Sequence, residues 1–74
     1  MRTIYDHKAL GQLIRQERKA QGLTQAELAA LTGVGIRFLR ELELGKENCR
    51  IGLAFQVIRA LGLVLEARGR GESA

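Results

Sequence analysis

The sequence predicts an all-α domain of four helices followed by one short strand. The chain has 74 residues, 46% of them hydrophobic and 27% charged, which is the balance of one small folded domain. Apolar residues recur every three or four positions, and proline is absent, so nothing interrupts the helices. Four glycines each follow a segment of helical period, where the left-handed C′ position favours glycine. They are Gly22, Gly33, Gly45 and Gly62.

The first helix is predicted from about His7 to Gln21. Asp6 is a suitable N-cap, because its carboxylate can accept hydrogen bonds from the free N–H groups of the first turn. Leu10 and Ile14 stand four residues apart and therefore share the face that packs inward. Gly11 lies within this helix, so we expect it either on the outer face or beneath a close neighbour.

The next two helices are predicted to follow each other after a very short turn. Thr24 and Glu27 form a capping-box pattern, in which the hydroxyl caps the helix and the carboxylate returns to the Thr24 backbone. This second helix should end near Leu31, and the third should run from about Gly35 to Leu44. A fourth helix is predicted over residues 50–61, where apolar residues again recur at helical period.

After Gly62 the pattern changes to alternation, so residues 63–68 are predicted to form a short strand. An isolated strand leaves its backbone groups unpaired, and the same strand of a second copy would pair with them in an antiparallel two-fold dimer. In that pairing the inward-facing residues are Leu63, Leu65 and Ala67, and the outward-facing ones are Val64, Glu66 and Arg68. The domain is placed at residues 1–69, and residues 70–74 are expected to be a disordered tail.

Composition argues against an enzyme or a metal site. The chain has one serine, one aspartate, one cysteine and one histidine, so neither a catalytic triad nor a structural zinc site can be assembled. No apolar run approaches the roughly 18 residues of a membrane helix, and no secretory signal is seen. We therefore expect a cytoplasmic protein without cofactors and without a membrane partner.

The charge balance instead indicates a polyanionic partner. Lysine and arginine number 12 against 8 aspartate and glutamate, which gives a formal net charge of +4 and a sequence pI near 10.0. A basic surface can also be a solvated face that binds nothing, so the charge indicates nucleic-acid binding only together with a sequence motif.

Such a pattern spans the second and third helices. With Gln25 as position 1, alanine stands at 5, glycine at 9 and leucine at 15 and 18, which is the spacing of a DNA-binding helix-turn-helix. Ala29 is small enough for the two helices to approach, Gly33 turns the chain, and Leu39 and Leu42 anchor the third helix. An ordinary helical hairpin would share some of these features, but the capping box and the basic charge favour DNA.

These residues resemble the Cro/C1 (Xre) family of helix-turn-helix repressors. The resemblance covers about residues 10–63 and rests on Arg18, Leu23 to Ala29, Gly33 and Leu42 to Lys46. A closer likeness is to HipB-type antitoxins, in which a lead-in like Ile4-Tyr5 precedes the first helix and a strand replaces the fifth helix of phage repressors.

The resemblance implies a lambda-repressor-like domain that binds a double-stranded DNA operator as a homodimer. It further implies a sequence-specific repressor that is the antitoxin of a HipBA-like toxin–antitoxin operon, autoregulates that operon and binds a HipA-type kinase toxin. Two alternatives remain open: a stand-alone phage-type repressor, and a protein-interaction adaptor that kept the fold but not DNA binding.

The third helix provides the candidate base readers. Arg37 and Arg40 suit bidentate contacts to guanine in the major groove, and Ile36 suits a thymine methyl group. Gly35 lets the start of the helix approach the DNA backbone. Glu41 would either accept a hydrogen bond from a cytosine amine or orient a neighbouring arginine, and we prefer the second. Either arginine could instead be a surface charge paired with a nearby glutamate.

Phosphate contacts are expected on both sides of these readers. The start of the second helix has free N–H groups and a positive dipole end, and it carries Thr24 and Gln25. The resemblance implies that Gln25 touches phosphate. Lys46, Asn48 and Arg50 follow the third helix and could hold a second phosphate, although this segment could also be only a polar loop.

One structural ion pair is also expected. Arg18 and Glu43 fall on the inner edges of their helices, and the resemblance places an ion pair at these positions. A charge on an inner face needs a partner, so we expect the two side chains to form a partly buried pair.

Overall fold

Four helices make up most of the chain in the computed structural model, which describes residues 3–47 and 49–71. They are α1 (His7–Ala20), α2 (Gln25–Thr32), α3 (Ile36–Leu44) and α4 (Ile51–Ala60). Each observed helix begins and ends within one residue of its predicted bounds, and the all-α fold class is confirmed.

The helix ends follow local side-chain chemistry. The Asp6 carboxylate accepts a hydrogen bond of 2.8 Å from the Ala9 backbone N–H, as its capping role requires. At the start of α2, Thr24 and Glu27 form both hydrogen bonds of the capping box. That helix ends at Gly33, whose φ of 76° lies in the left-handed region that glycine adopts without strain. The chain thereby turns directly into α3.

The core lies where α3 packs on α1 and α2, and where α2 also packs on α4. Small and branched aliphatic side chains from all four helices and from the turn before α3 fill it. Its buried members are Ile14, Leu28, Ala29, Val34, Leu39, Leu42, Ala54, Val57, Ile58 and Leu61. Full burial of one such leucine or isoleucine contributes about 1.5–3 kcal/mol, so this cluster fixes the angle between α2 and α3.

Two glycines allow α1 to lie unusually close to α3. A Cβ atom on Gly11 would collide with the carbonyl oxygen of Leu42 and would lie 2.7 Å from that of Glu43. Gly45 has a φ of 75°, and a Cβ there would lie 2.6 Å from the Cα of Lys8. Gly11 therefore lies beneath a close neighbour, which was the second of its two predicted placements.

The C-terminal segment departs from the prediction. Residues 63–69 have no regular secondary structure, and no strand is present in residues 3–47 and 49–71 of this single chain. Leu63 packs against the core and Val64 is 82% exposed, both as expected, whereas Leu65 and Ala67, which were expected to face the helices, are exposed. A strand is defined by hydrogen bonds to a neighbouring strand, and one copy of the chain offers none of matching length.

The predicted disordered tail is only partly described. Residues 70 and 71 form an exposed turn, and residues 72–74 lie outside the described part of the chain.

The close approach at Gly11 gives a stability prediction. Gly11→Ala should destabilise the protein by about 1–3 kcal/mol, because the added methyl group meets backbone carbonyls that cannot rotate away. Urea denaturation followed by circular dichroism measures this difference.

Gly52→Ala is the matched control, since it makes the same substitution in α4 where a Cβ meets nothing within 4 Å. It should be neutral or stabilising by up to about 1 kcal/mol through helix propensity. Equal effects of the two substitutions would contradict the packing interpretation.

Candidate nucleic-acid interface

The two faces of α3 are chemically distinct. Leu39 and Leu42 are buried in the core, whereas Arg37 and Arg40 are exposed on the opposite side. The Arg37 side chain is 89% exposed, and its guanidinium is available to a ligand at the surface. The structure thus brings both predicted guanine readers to one outer face, with Ile36 partly exposed at its edge.

Glu41 lies between two cations on this face. Its Oε2 atom accepts a hydrogen bond of 3.1 Å from Nζ of Lys46 and lies 3.6 Å from Nε of Arg37. The hydrogen bond from Lys46 is the main reason that the pKa of Glu41 lies below its ordinary value, and the nearby Arg37 acts in the same direction. The contact with Arg37 is the one expected of a residue that orients an arginine.

The start of α2 presents a polar end. The Thr24 hydroxyl accepts from the Glu27 backbone N–H at 3.0 Å, and the Glu27 carboxylate accepts from the Thr24 backbone N–H at 2.8 Å. This second bond lowers the pKa of Glu27. The hydrogen of the Thr24 hydroxyl is not used in this cap, so it can be donated to a phosphate oxygen.

Gln25 has a partner that sequence reasoning missed. Its Nε2 atom donates a hydrogen bond of 3.1 Å to Oε1 of Glu43, which lies 18 residues later on α3. An amide nitrogen carries two hydrogens, so one remains for a phosphate oxygen. No feature of the sequence alone places these two side chains together; the half-buried position of Gln25 follows from the packing of α2 on α3.

The predicted ion pair is present and is buried more deeply than expected. Arg18 Nε lies 2.7 Å from Glu43 Oε2, and Arg18 Nη2 donates to Glu43 Oε1 at 2.9 Å, which makes the contact bidentate. The side chains are only 8% and 2% exposed. The carboxylate raises the pKa of Arg18, and Nη1 of the same guanidinium donates to the Leu23 carbonyl at 2.8 Å.

Together these bonds connect the elements that would face DNA. The Glu43 carboxylate holds α3 to Arg18 of α1 and to Gln25 at the start of α2. These hydrogen bonds therefore restrain the position of α3 relative to the start of α2.

The remaining predicted residues lie around this surface. Gly35 is exposed at the N-cap of α3, with open space where a Cβ would lie. Lys46 follows α3 and its side chain is 61% exposed, and Arg50 is an exposed N-cap of α4. Asn48 lies outside the described residues.

Residues 3–47 and 49–71 contain no group of three or more potential metal ligands, and none of their helices has both the length and the apolar character needed to cross a bilayer.

Comparison with known proteins agrees with this geometry. A helix-turn-helix family model matches residues 14–66. The uncharacterized HTH-type transcriptional regulator y4mF of Sinorhizobium fredii is 44% identical over 63 residues, which cover 85% of this chain and 83% of that protein. An uncharacterized HTH-type transcriptional regulator of Methanothermobacter thermautotrophicus is 46% identical over 50 residues, or 68% and 72% of the two chains.

Solved structures share the fold at low sequence identity. A HipB complex with a 20mer called O4 superposes with a TM-score of 0.85 at 23% identity, covering 95% of this chain and 99% of that one. HipB in a complex described as HipA-HipB-O2-O3 gives a TM-score of 0.86 with the same identity and coverage. The arrangement of helices is therefore that of HipB.

The buried ion pair gives a second stability prediction. Arg18→Met should cost about 3–5 kcal/mol, because it leaves the Glu43 carboxylate buried without its cation. Chemical denaturation of the single variants and of the double variant Arg18→Met/Glu43→Met measures this cost and the coupling between the two residues.

The double variant should recover most of the loss, since it buries two apolar side chains in place of two charges. An Arg18→Met variant as stable as the unaltered chain would show that the pair contributes nothing to folding.

Proposed function

We infer the function of this chain from one premise: it belongs to the helix-turn-helix family, and it is a DNA-binding transcriptional regulator. From this premise we propose that it is a sequence-specific repressor that binds a double-stranded operator. The observation that supports the proposal most strongly is the exposed face of α3, where Arg37 and Arg40 stand opposite a buried apolar face. Guanidinium groups in that position suit the O6 and N7 atoms of guanine.

Phosphate contacts complete the proposed interface. The start of α2, with Thr24 and Gln25, lies on one side of the reading face, and Lys46 and Arg50 follow it on the other. We also propose that Asn48 contacts a phosphate and that Gly35 lets the start of α3 approach the DNA backbone. Phosphate contacts fix the register of the protein on the duplex, and base contacts provide the sequence preference.

We propose that the working form is a homodimer paired through residues 63–68. One recognition helix reads too few base pairs for useful specificity, whereas two copies reach successive major grooves about 34–36 Å apart. The partial exposure of Leu65 in the single chain supports this proposal, because this residue would face inward in the paired form.

The setting we propose is a HipBA-like toxin–antitoxin operon in the cytoplasm, with this chain as autoregulating antitoxin and a HipA-type toxin as its partner. The fold of HipB and the occurrence of HipB in a complex with HipA support this reading. Co-expression with the neighbouring gene and co-purification test the toxin partner.

A stand-alone repressor is the second candidate, because two relatives are named as transcriptional regulators.

Base and phosphate contacts should respond differently to substitution. Arg37→Ala should lose about 1–3 kcal/mol at one base pair of the operator and relax the preference there, because a bidentate contact is removed. Gln25→Ala should weaken binding to all sequences alike, since a phosphate contact reads no base. Binding to an array of duplex variants separates the two patterns.

Arg59→Ala is the control, because it removes one exposed positive charge from α4, outside the helix-turn-helix unit. It should leave the preference at every base pair unchanged. A uniform loss for Arg37→Ala would mean that another residue reads that base.

The dimer proposal is tested by shortening the chain. Truncation after Gly62 should weaken dimerisation strongly, because it removes the proposed strand, and truncation after Gly69 should not. Analytical ultracentrifugation over a range of concentrations gives both dissociation constants.

Because Leu63 packs on the core, a substitution provides a second test that leaves the core intact. Glu66→Pro removes a backbone donor from the strand, while Glu66→Ala keeps it. Dimers of equal affinity for all these variants would place the interface elsewhere.

A further inference from the structure

The charges on the exposed face of α3 are already partly neutralised in the unbound chain. The Glu41 carboxylate contacts Lys46 at 3.1 Å and Arg37 at 3.6 Å, so two cations of the proposed interface share one anion. The closest approach to Arg37 is at its Nε atom, and the Arg37 side chain is 89% exposed. The guanidinium of Arg37 is therefore accessible to a ligand while it lies beside Glu41.

These two ion pairs contribute little to the free energy of unfolding. The Glu41 side chain is 31% exposed and its cationic partners are 89% and 61% exposed, so both contacts are surface ion pairs of the kind that contribute little to stability. Their physical effect is on the field at the DNA-facing surface, where a negative charge stands between two positive ones. An approaching phosphate meets that carboxylate as well as the cations.

We propose that Glu41 is a specificity-determining residue, whose carboxylate competes with the phosphates of unrelated DNA for Arg37 and Lys46 and leaves Arg37 able to read a guanine. This inference rests on the proposed function and explains how the same surface discriminates between the operator and unrelated DNA. Non-specific affinity comes almost entirely from cations that neutralise phosphates. Glu41 lowers that affinity, and it also fixes the direction of the guanidinium that reads the operator.

The test compares two substitutions that each remove one negative charge. Glu41→Gln keeps the size of the side chain and removes the charge between the two cations. Glu47→Gln removes the charge from the next residue after Lys46, which is also exposed but lies outside the ion pairs that Glu41 makes. The probes are a duplex that the unaltered full-length chain enriches from a random pool and a shuffled duplex of the same length and composition.

For Glu41→Gln, the dissociation constant for the shuffled duplex divided by that for the enriched duplex should fall about tenfold. Most of this fall should come from tighter binding to the shuffled duplex. The slope of log K against log salt on that duplex should become steeper by about 0.9, because about one more phosphate is neutralised. Most of this steepening should disappear in a Lys46→Met background. Glu47→Gln should leave the ratio unchanged, and circular dichroism should show all variants folded.

Two results would overturn the inference. If both glutamine variants lower the ratio equally, the effect is one of net charge and Glu41 has no special role. If neither lowers it, Glu41 does not restrain the cations. An unaltered chain that enriches no duplex would instead refute sequence-specific binding, and this inference would fail with it.

Discussion

The buried carboxylate of Glu43 determines how the recognition helix is held. A charge removed from water is strongly unfavourable unless it is paired, and here it accepts hydrogen bonds from Arg18 on α1 and from Gln25 on α2. Because these directional bonds join three helices, they restrain the relative positions of α1, α2 and α3. An apolar pair at the same positions could stabilise the fold as well, but it would lack these directional hydrogen bonds.

Close backbone packing supports the same geometry from the other side. With no disulfide and a small apolar core, the protein brings α1 against the end of α3 by omitting side chains at Gly11 and Gly45. The resulting contact lies near Glu43, so the ion pair and the backbone contact hold the same end of α3. The exposed arginines Arg37 and Arg40 thus lie on a helix whose C-terminal end is held against α1.

Features determined within a few residues were predictable from the sequence. Asp6, the capping box and the glycines define helix ends through local hydrogen bonds and backbone geometry, so the four helices were predicted nearly residue by residue. The spacing of Ala29 and Gly33 with the two leucines of α3 identified the helix-turn-helix. The ion pair was anticipated from inner-edge positions together with a family resemblance.

Features that depend on tertiary or intermolecular contacts were not predictable in the same way. The bond between Gln25 and Glu43 joins residues on two helices whose crossing angle is set by the core, and the bond from Lys46 to Glu41 depends on how the chain leaves α3. The strand that the sequence predicts at residues 63–68 is absent from the single chain, because such a strand needs a neighbouring strand for its hydrogen bonds.

The separation of the two faces of α3 also bears on how such regulators diverge. Arg37 and Arg40 lie outside the core, so exchanges at these positions leave intact the contacts that hold the domain together. If these residues read bases as proposed, a duplicated copy can acquire a new DNA target through single substitutions, each of which leaves a folded protein.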